Sequence, residues 1–224
     1  MGRQSDARER LVRSAAGLMG DKGYGAVSVQ DLCEHADVRK GSFYHFFSSK
    51  EDLVIAAIDA FWQDYRARIR EAVSGDRPPL EKIRRYLHIH YDLQSKYLLT
   101  EGRVMGCPLG NIALELGKDE ERIRREIDTV FTRCTAPLEE VLEEAMAAGE
   151  IPEGDPKLTA DKLFAYVEGV VLLAKAKNDL ELIKSLEAGA LGLLGIQPAE
   201  GGEPDRGRWR RTKSSGSKAS SVAK

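Results

Sequence analysis

Between Gln30 and Lys50 the sequence collects groups suited to gripping a polyanion and reading its edges. Arg39, Lys40, Ser42, Tyr44 and His45 put two cations, two hydroxyls and an imidazole within about two helical turns. Val38, Phe43 and Phe46 or Phe47 recur on the opposite side, which turns the polar set outward. Water alone does not require that combination. Phosphate oxygens take the cations, and base edges take hydroxyl, amide and imidazole groups. On this reading Lys40, Ser42, Tyr44 and His45 read or abut bases, Arg39 stands beside them, and Lys50 holds a phosphate. Gly41 lets the backbone approach a groove closely. Gln30, on the outer face of the preceding helix, reaches a base or a phosphate. The competing reading is a helical hairpin whose basic face is merely solvated.

Two short helices must position this set. Ser28, with Asp31 three residues on, is a helix start: a hydroxyl N-cap and an acid in the first turn. Val29, Leu32, Cys33 and Ala36 follow at helical spacing. The Ala36-Asp37-Val38 link is too short to cross a domain, so the next helix packs steeply against the first, as in a helix-turn-helix. A helix over 5–22, begun by Ser5 or Asp6 and ended by Gly23, covers the apolar side with Leu11, Ala15 and Leu18. Ser48 with Glu51, or Ser49 with Asp52, starts a fourth helix that runs on to Val73.

The run Lys40-Gly41-Ser42-Phe43-Tyr44-His45-Phe46-Phe47, with Ser49-Lys50-Glu51-Asp52-Leu53 after it and Val27-Ser28-Val29 before it, closely resembles the DNA-binding domain of TetR-type transcriptional regulators. The resemblance is strong over residues 1–55 and extends to the remainder in layout only. It implies an all-α protein with a three-helix head over 1–52 and a larger helical bundle over 53–197 that binds an effector and dimerises. Residues 198–224, rich in Gly, Ser, Lys and Arg, cannot bury enough apolar surface to fold and are expected to form a basic, disordered tail.

Past a break at 75–79, helices are expected over 80–98, 108–117, 119–148 with a kink at Pro137, 158–177 and 180–194. Phe61, Tyr65, Tyr91, Phe131 and Phe164 recur along them. Inward aromatics are mostly core, yet with a few polar tips they also suit a small-molecule pocket. The resemblance implies such a pocket, and Phe61, Tyr65, His90, Tyr91, Cys107 and Lys175 are its candidate residues. Pro108 suits the first position of a helix, which makes Cys107 the N-cap. The positive end of a helix lowers a thiol pKa, so Cys107 is either a reactive thiolate with Lys175 as a cationic neighbour or a small residue that merely shapes the pocket. The motif around Cys107 is similar to that of TetR-type relatives that respond to electrophiles or oxidants.

Composition narrows the function classes. Hydrophobic residues make up 42% and charged residues 31%, a globular balance without an apolar run long enough to span a membrane. The N-terminus has no apolar core of a signal peptide, and Cys33, Cys107 and Cys134 form no paired framework, which suits the cytoplasm. The net charge of −2 hides an asymmetry: residues 51–200 hold nineteen Lys or Arg against twenty-eight Asp or Glu, and the excess of cations lies at both ends. Polyanion contact therefore belongs to the ends. His88 and His90 point apart on one helix, and no phosphate-loop, nucleophile-elbow or zinc spacing occurs. No metal, cofactor or enzymatic activity is expected.

Dimerisation is expected through the last two helices. Leu163, Val167, Val170 and Ala174 form one stripe and Ile183, Leu186, Ala190 and Leu194 another. Paired across a two-fold axis they would give a four-helix interface. The expected protein is a homodimer that binds a palindromic operator and is released by a small effector. Its rival is a similar DNA-binding architectural or partner-recruiting protein without an effector pocket, which a closed, mostly apolar cavity in the body would disfavour.

Overall fold

The computed structural model describes residues 2–196. They form ten helices: α1 (Gly2–Lys22), α2 (Val29–Ala36), α3 (Lys40–Phe46), α4 (Lys50–Val73), α5 (Pro79–Glu101), α6 (Pro108–Ala113), α7 (Glu121–Ala147), α8 (Pro156–Lys177), α9 (Glu181–Lys184) and α10 (Leu186–Leu193). No strand occurs among the described residues. The tail expected over 198–224 lies outside them.

In the head, α1 packs across α2 and α3, and Leu11, Ala15, Leu32, Phe43 and Leu53 are fully buried between them. The start of α2 is a reciprocal cap. The Asp31 N–H donates to Ser28 Oγ at 3.1 Å, and the Asp31 carboxylate accepts the Ser28 N–H at 2.8 Å. Asp37 closes α2 in the left-handed region, φ 51°, a conformation that Asp tolerates better than most residues. Arg10 of α1 holds that turn by donating to the Asp37 carbonyl at 3.3 Å. Ser14 donates to the Leu32 carbonyl and lies 3.0 Å from His35 Nδ1, which ties the end of α2 to α1.

Ser49 caps α4 by accepting the Asp52 N–H at 3.1 Å. The helix then runs unbroken out of the head. Leu53, Val54, Ala57 and Ile58 serve the head side, and Tyr65, Ile69 and Ala72 enter the body core. At about 1.5 Å per residue, one rigid rod thus belongs to both halves. In the body, α4, α5, α7 and α8 pack as a bundle, with Ile83, Ile123, Val130, Leu142 and Val167 fully buried. The Tyr86 hydroxyl donates to the Cys134 carbonyl at 3.1 Å inside it.

Three expectations are corrected. α1 begins at Gly2 rather than behind Ser5 or Asp6, because the Asp6 carboxylate pairs with Arg10 one turn on instead of capping. The last expected helix divides into α9 and α10. Ser185 breaks it by donating its hydroxyl to the Leu182 carbonyl at 2.7 Å, and tight three-residue hydrogen bonds replace the helical ladder there. The stripes expected at a dimer interface face their own subunit: Leu163, Val167, Ala174, Ile183, Leu186, Ala190 and Leu194 are buried within the single chain, and Val170 is half-buried. Pro137 sits inside α7, which continues through it.

Candidate nucleic-acid interface and body cavity

The outward face of α3 carries the expected set. Arg39, at the N-cap without a side-chain cap of its own, and Lys40, Gly41, Tyr44 and His45 are exposed, while Ser42 is half-buried. Phe43 beneath them has no exposure, and its ring meets that of Tyr44 edge-on at 5.1 Å, which props the phenol away from the core. No atom lies within 4 Å of where a Cβ on Gly41 would stand, so the backbone there is open to an incoming surface. Gln30 is exposed on α2 and donates to Glu34 at 2.7 Å.

Lys50 differs from expectation. Its ammonium donates to the Tyr24 carbonyl and stands 4.1 Å from the centre of the Tyr24 ring, instead of reaching toward a phosphate. Partial burial holds its pKa below the usual lysine value. A carbonyl and a π face together satisfy the ammonium, so this lysine pins the α1–α2 turn to the start of α4.

A small, partly open cavity lies in the body where α4, α5, α7, α8 and the start of α6 meet. Phe61 and Tyr65 enter from α4, one turn apart and stacked at 5.3 Å. α5 supplies His90, Leu93 and Gln94, and the start of α6 supplies Cys107, Pro108 and Leu109. Phe131 and Cys134 come from α7, and Phe164, Glu168 and Val171 from one face of α8. The Phe131 and Phe164 rings meet edge-to-face at 5.2 Å. Tyr65 Oη lies 3.1 Å from His90 Nε2, and burial holds the pKa of His90 down to about 4. That imidazole is neutral at neutral pH. Gln94 donates to the Gly106 carbonyl and accepts the N–H groups of Met105 and Gly106, all at 3.0 Å.

Of the expected pocket residues, Phe61, Tyr65, His90 and Cys107 meet at this cavity and two do not. Tyr91 points away and pairs with the His88 ring at 5.7 Å. Lys175 donates to Asn111 Oδ1 of α6 at 2.7 Å. Cys107 does cap α6, accepting the Gly110 N–H at 3.3 Å. Its environment nevertheless opposes a thiolate. Burial first, and the neighbouring Glu168 carboxylate second, push the thiol well above its ordinary value. The helix end is outweighed, because it supplies a partial charge to a group taken out of water.

Glu168 was not among the expected residues. The signal lay in the sequence: it is the one charge in the apolar stretch Leu163-Phe164-Ala165-Tyr166-Val167-Glu168-Gly169-Val170-Val171-Leu172-Leu173-Ala174. Burial raises its carboxyl above the usual glutamate value, and it lies beside Cys107 across Gly110. Among the described residues no cluster of three His, Cys, Asp or Glu could hold a metal ion, and no helix is long and apolar enough to cross a membrane.

Head and body are clasped at two further places. Glu115, just past α6, accepts the Gly25 N–H at 3.0 Å. Arg122 of α7 donates to Glu51 at 2.8 Å and Asp52 at 3.0 Å, at the start of α4.

A helix-turn-helix head that shares a rod with a helical body is the layout of a transcriptional regulator. The comparisons give the family. A model described as bacterial regulatory proteins, tetR family, matches residues 11–57, and one described as tetracyclin repressor-like, C-terminal domain, matches residues 79–188. The chain is 30% identical over 172 residues to the transcriptional regulator AcuR of Cereibacter sphaeroides, spanning 75% of this chain and 76% of that one. It is 27% identical over 184 residues to the transcriptional repressor NemR of Escherichia coli K12, spanning 81% and 90%. The solved structure of the reduced form of E. coli NemR superposes with a TM-score of 0.73 at 26% identity, covering 87% of this chain and all of that one. The chain belongs to the TetR family of bacterial transcriptional regulators and is not an enzyme.

Proposed function

We propose that the protein is a repressor that binds a palindromic operator as a homodimer and lets go when a small molecule enters the body cavity. Residues 1–52 act as the reading head and the body to residue 197 as sensor and dimer platform, in the cytoplasm where the operator is. Lys40, Ser42, Tyr44 and His45 read bases from α3, and Arg39, the Gly41 backbone and Gln30 support them. The observation that carries the release half is the position of α6. Its first turn forms part of the cavity wall, and the residue just past its end grips the head. Occupancy of the cavity and the pose of the head therefore share one short element. A solid body would have favoured the architectural reading; an aromatic-lined cavity favours sensing.

For the dimer, the outer face of α8 offers a seam. Leu158, Ala165, Gly169, Leu172 and Ala176 are exposed and spaced as one helical stripe, with Leu173 beside them and exposed Ala188 and Gly192 on α10. Exposed apolar positions grouped on one face suit an interface, with Lys162 the charge between Leu158 and Ala165. Two heads carried on it meet successive major-groove faces roughly 34 Å apart, or a multiple of that.

The test is selection of bound sequences from a random DNA pool. A palindrome with half-sites one or more helical turns apart is expected, followed by release of that DNA on screening small molecules. Enrichment of single, unpaired half-sites sinks the dimer reading. A body that binds no small molecule sinks the sensing one.

A further inference from the structure

We propose that the cavity takes a small organic cation, an ammonium group on an apolar or aromatic body, with Glu168 as its counter-charge and the rings of Phe61, Tyr65, Phe131 and Phe164 as its walls. This rests on the cavity being the effector site, but concerns which ligand chemistry it accepts. Glu168 is the one carboxylate in the lining, and no Lys or Arg lines the cavity. Lys175, which does not line the cavity, is committed to Asn111. His90, neutral and paired with Tyr65, supplies no charge.

An anionic ligand entering here would set two negative charges side by side where water cannot screen them. A cation meets the reverse situation. The Glu168 carboxylate lies beside the Cys107 thiol across Gly110, and a thiol is a weak donor. A partly buried carboxylate so poorly satisfied favours a stronger donor, and an ammonium offers three. The four rings offer π faces, which attract cations and are strongest when desolvated. Spacing supports one site rather than scattered parts. Phe164, Glu168 and Val171 stand one above the other on α8, and Phe61 and Tyr65 do the same on α4. Gly110 leaves the carboxylate its place, since a Cβ there would lie 2.9 Å from Glu168 Oε2.

The experiment uses the full chain without DNA and three probes of one shape: benzylamine, benzyl alcohol and benzoate. Binding is measured by calorimetry and thermal shift near neutral pH, where the amine is charged. Benzylamine should bind about tenfold or more tightly than benzyl alcohol, the scale of a hydrogen bond to a charged group, and benzoate should not bind. Glu168→Gln should bring the amine down to the affinity of the alcohol. Glu168→Asp, which keeps the charge one methylene further back, should retain the preference at lower affinity and so separates charge from folding. The proposal is overturned if benzoate or benzyl alcohol binds as tightly as the amine. It is equally overturned if the amine's advantage survives Glu168→Gln, or if amines from methylammonium upward all fail to bind. A separate operator-release assay keeps the two readings apart. An amine that binds through Glu168 and leaves the operator complex intact upholds the cation site and sinks the effector reading. A neutral compound that enters the cavity and releases operator while amines fail does the opposite.

Discussion

Glu115 Oε2 accepts the Gly25 N–H at 3.0 Å, and this contact joins the residue after α6 to the turn that leads into the helix-turn-helix. The approach depends on Gly23, whose φ is +86°. A Cβ there would come 2.2 Å from Glu115 Oε1, closer than any real contact allows. The glycine thus serves twice, once for its left-handed backbone and once to let the carboxylate in.

That double role gives a first prediction. Gly23→Ala should destabilise the chain by about 1–3 kcal/mol, from backbone strain and from expulsion of the carboxylate. Glu115→Ala alone should cost about 1 kcal/mol, the net worth of one exposed hydrogen bond. Made together, the two should cost less than their sum, because removing Glu115 removes the clash. Chemical denaturation of the four proteins measures the cycle. Strict additivity would mean that Glu115 and Gly23 do not meet.

Lys40 and Lys50 of the head should separate in what their loss changes. Lys50 is satisfied by the Tyr24 carbonyl and ring, whereas Lys40 stands exposed on α3. Lys40→Ala should change which sequences are selected from a random pool, as the loss of a base contact does. Lys50→Met should leave the slope of log operator affinity against log salt unchanged and lower stability instead, by about 1–2 kcal/mol. A one-unit change in slope for Lys50→Met would show that it leaves Tyr24 to hold phosphate on DNA.

How far the sequence could be read differs between head and body. The caps at Ser28 and Ser49, the buried Phe43 and the outward Tyr44 follow from local spacing, and local spacing is what a short helix obeys. The side-chain choice of Lys50 was not legible, because its partner Tyr24 is set by how α1 returns to α4. Cys107 shows the same limit: the cap was readable from Pro108, but its pKa is set first by burial in the packed body and then by Glu168, which α8 brings in from sixty-one residues further along the chain. The stripes on α8 and its successor were real. Periodicity alone does not say whether a stripe faces its own core or a partner, and Ser185 broke the second helix through a local hydrogen bond.

Burial now distinguishes those faces, which gives a third prediction. Leu186 is 1% exposed and Leu172 46%. Leu172→Glu should leave the subunit folded and yield a monomer with weakened operator binding. Leu186→Glu should unfold the subunit, since a buried unpaired charge costs several kcal/mol. Sedimentation with circular dichroism separates the outcomes. A Leu172→Glu protein that remains dimeric would remove the outer face of α8 from the interface.

His90 sets the last prediction. Its pKa falls from 6.5 to about 4 because burial disfavours the charged ring. Above pH 6.5 the imidazole is neutral in both folded and unfolded chains, so it contributes no pH dependence. Below pH 6.5 the unfolded chain takes the proton and the folded one does not, and stability falls with pH. The loss should reach about 3 kcal/mol near pH 4, where the folded chain also protonates and the decline levels off. Glu168 works in the opposite direction, since burial raises its carboxyl and the folded chain binds that proton more readily as pH falls. It is present in both proteins compared here, so the difference between wild type and His90→Gln isolates the ring. Urea denaturation at steps from pH 7 to pH 4 should show the wild type losing stability more steeply than the variant, with the gap opening below pH 6.5. Parallel curves would mean that His90 takes up a proton inside the body, and that Tyr65 or an entering water stabilises its charge.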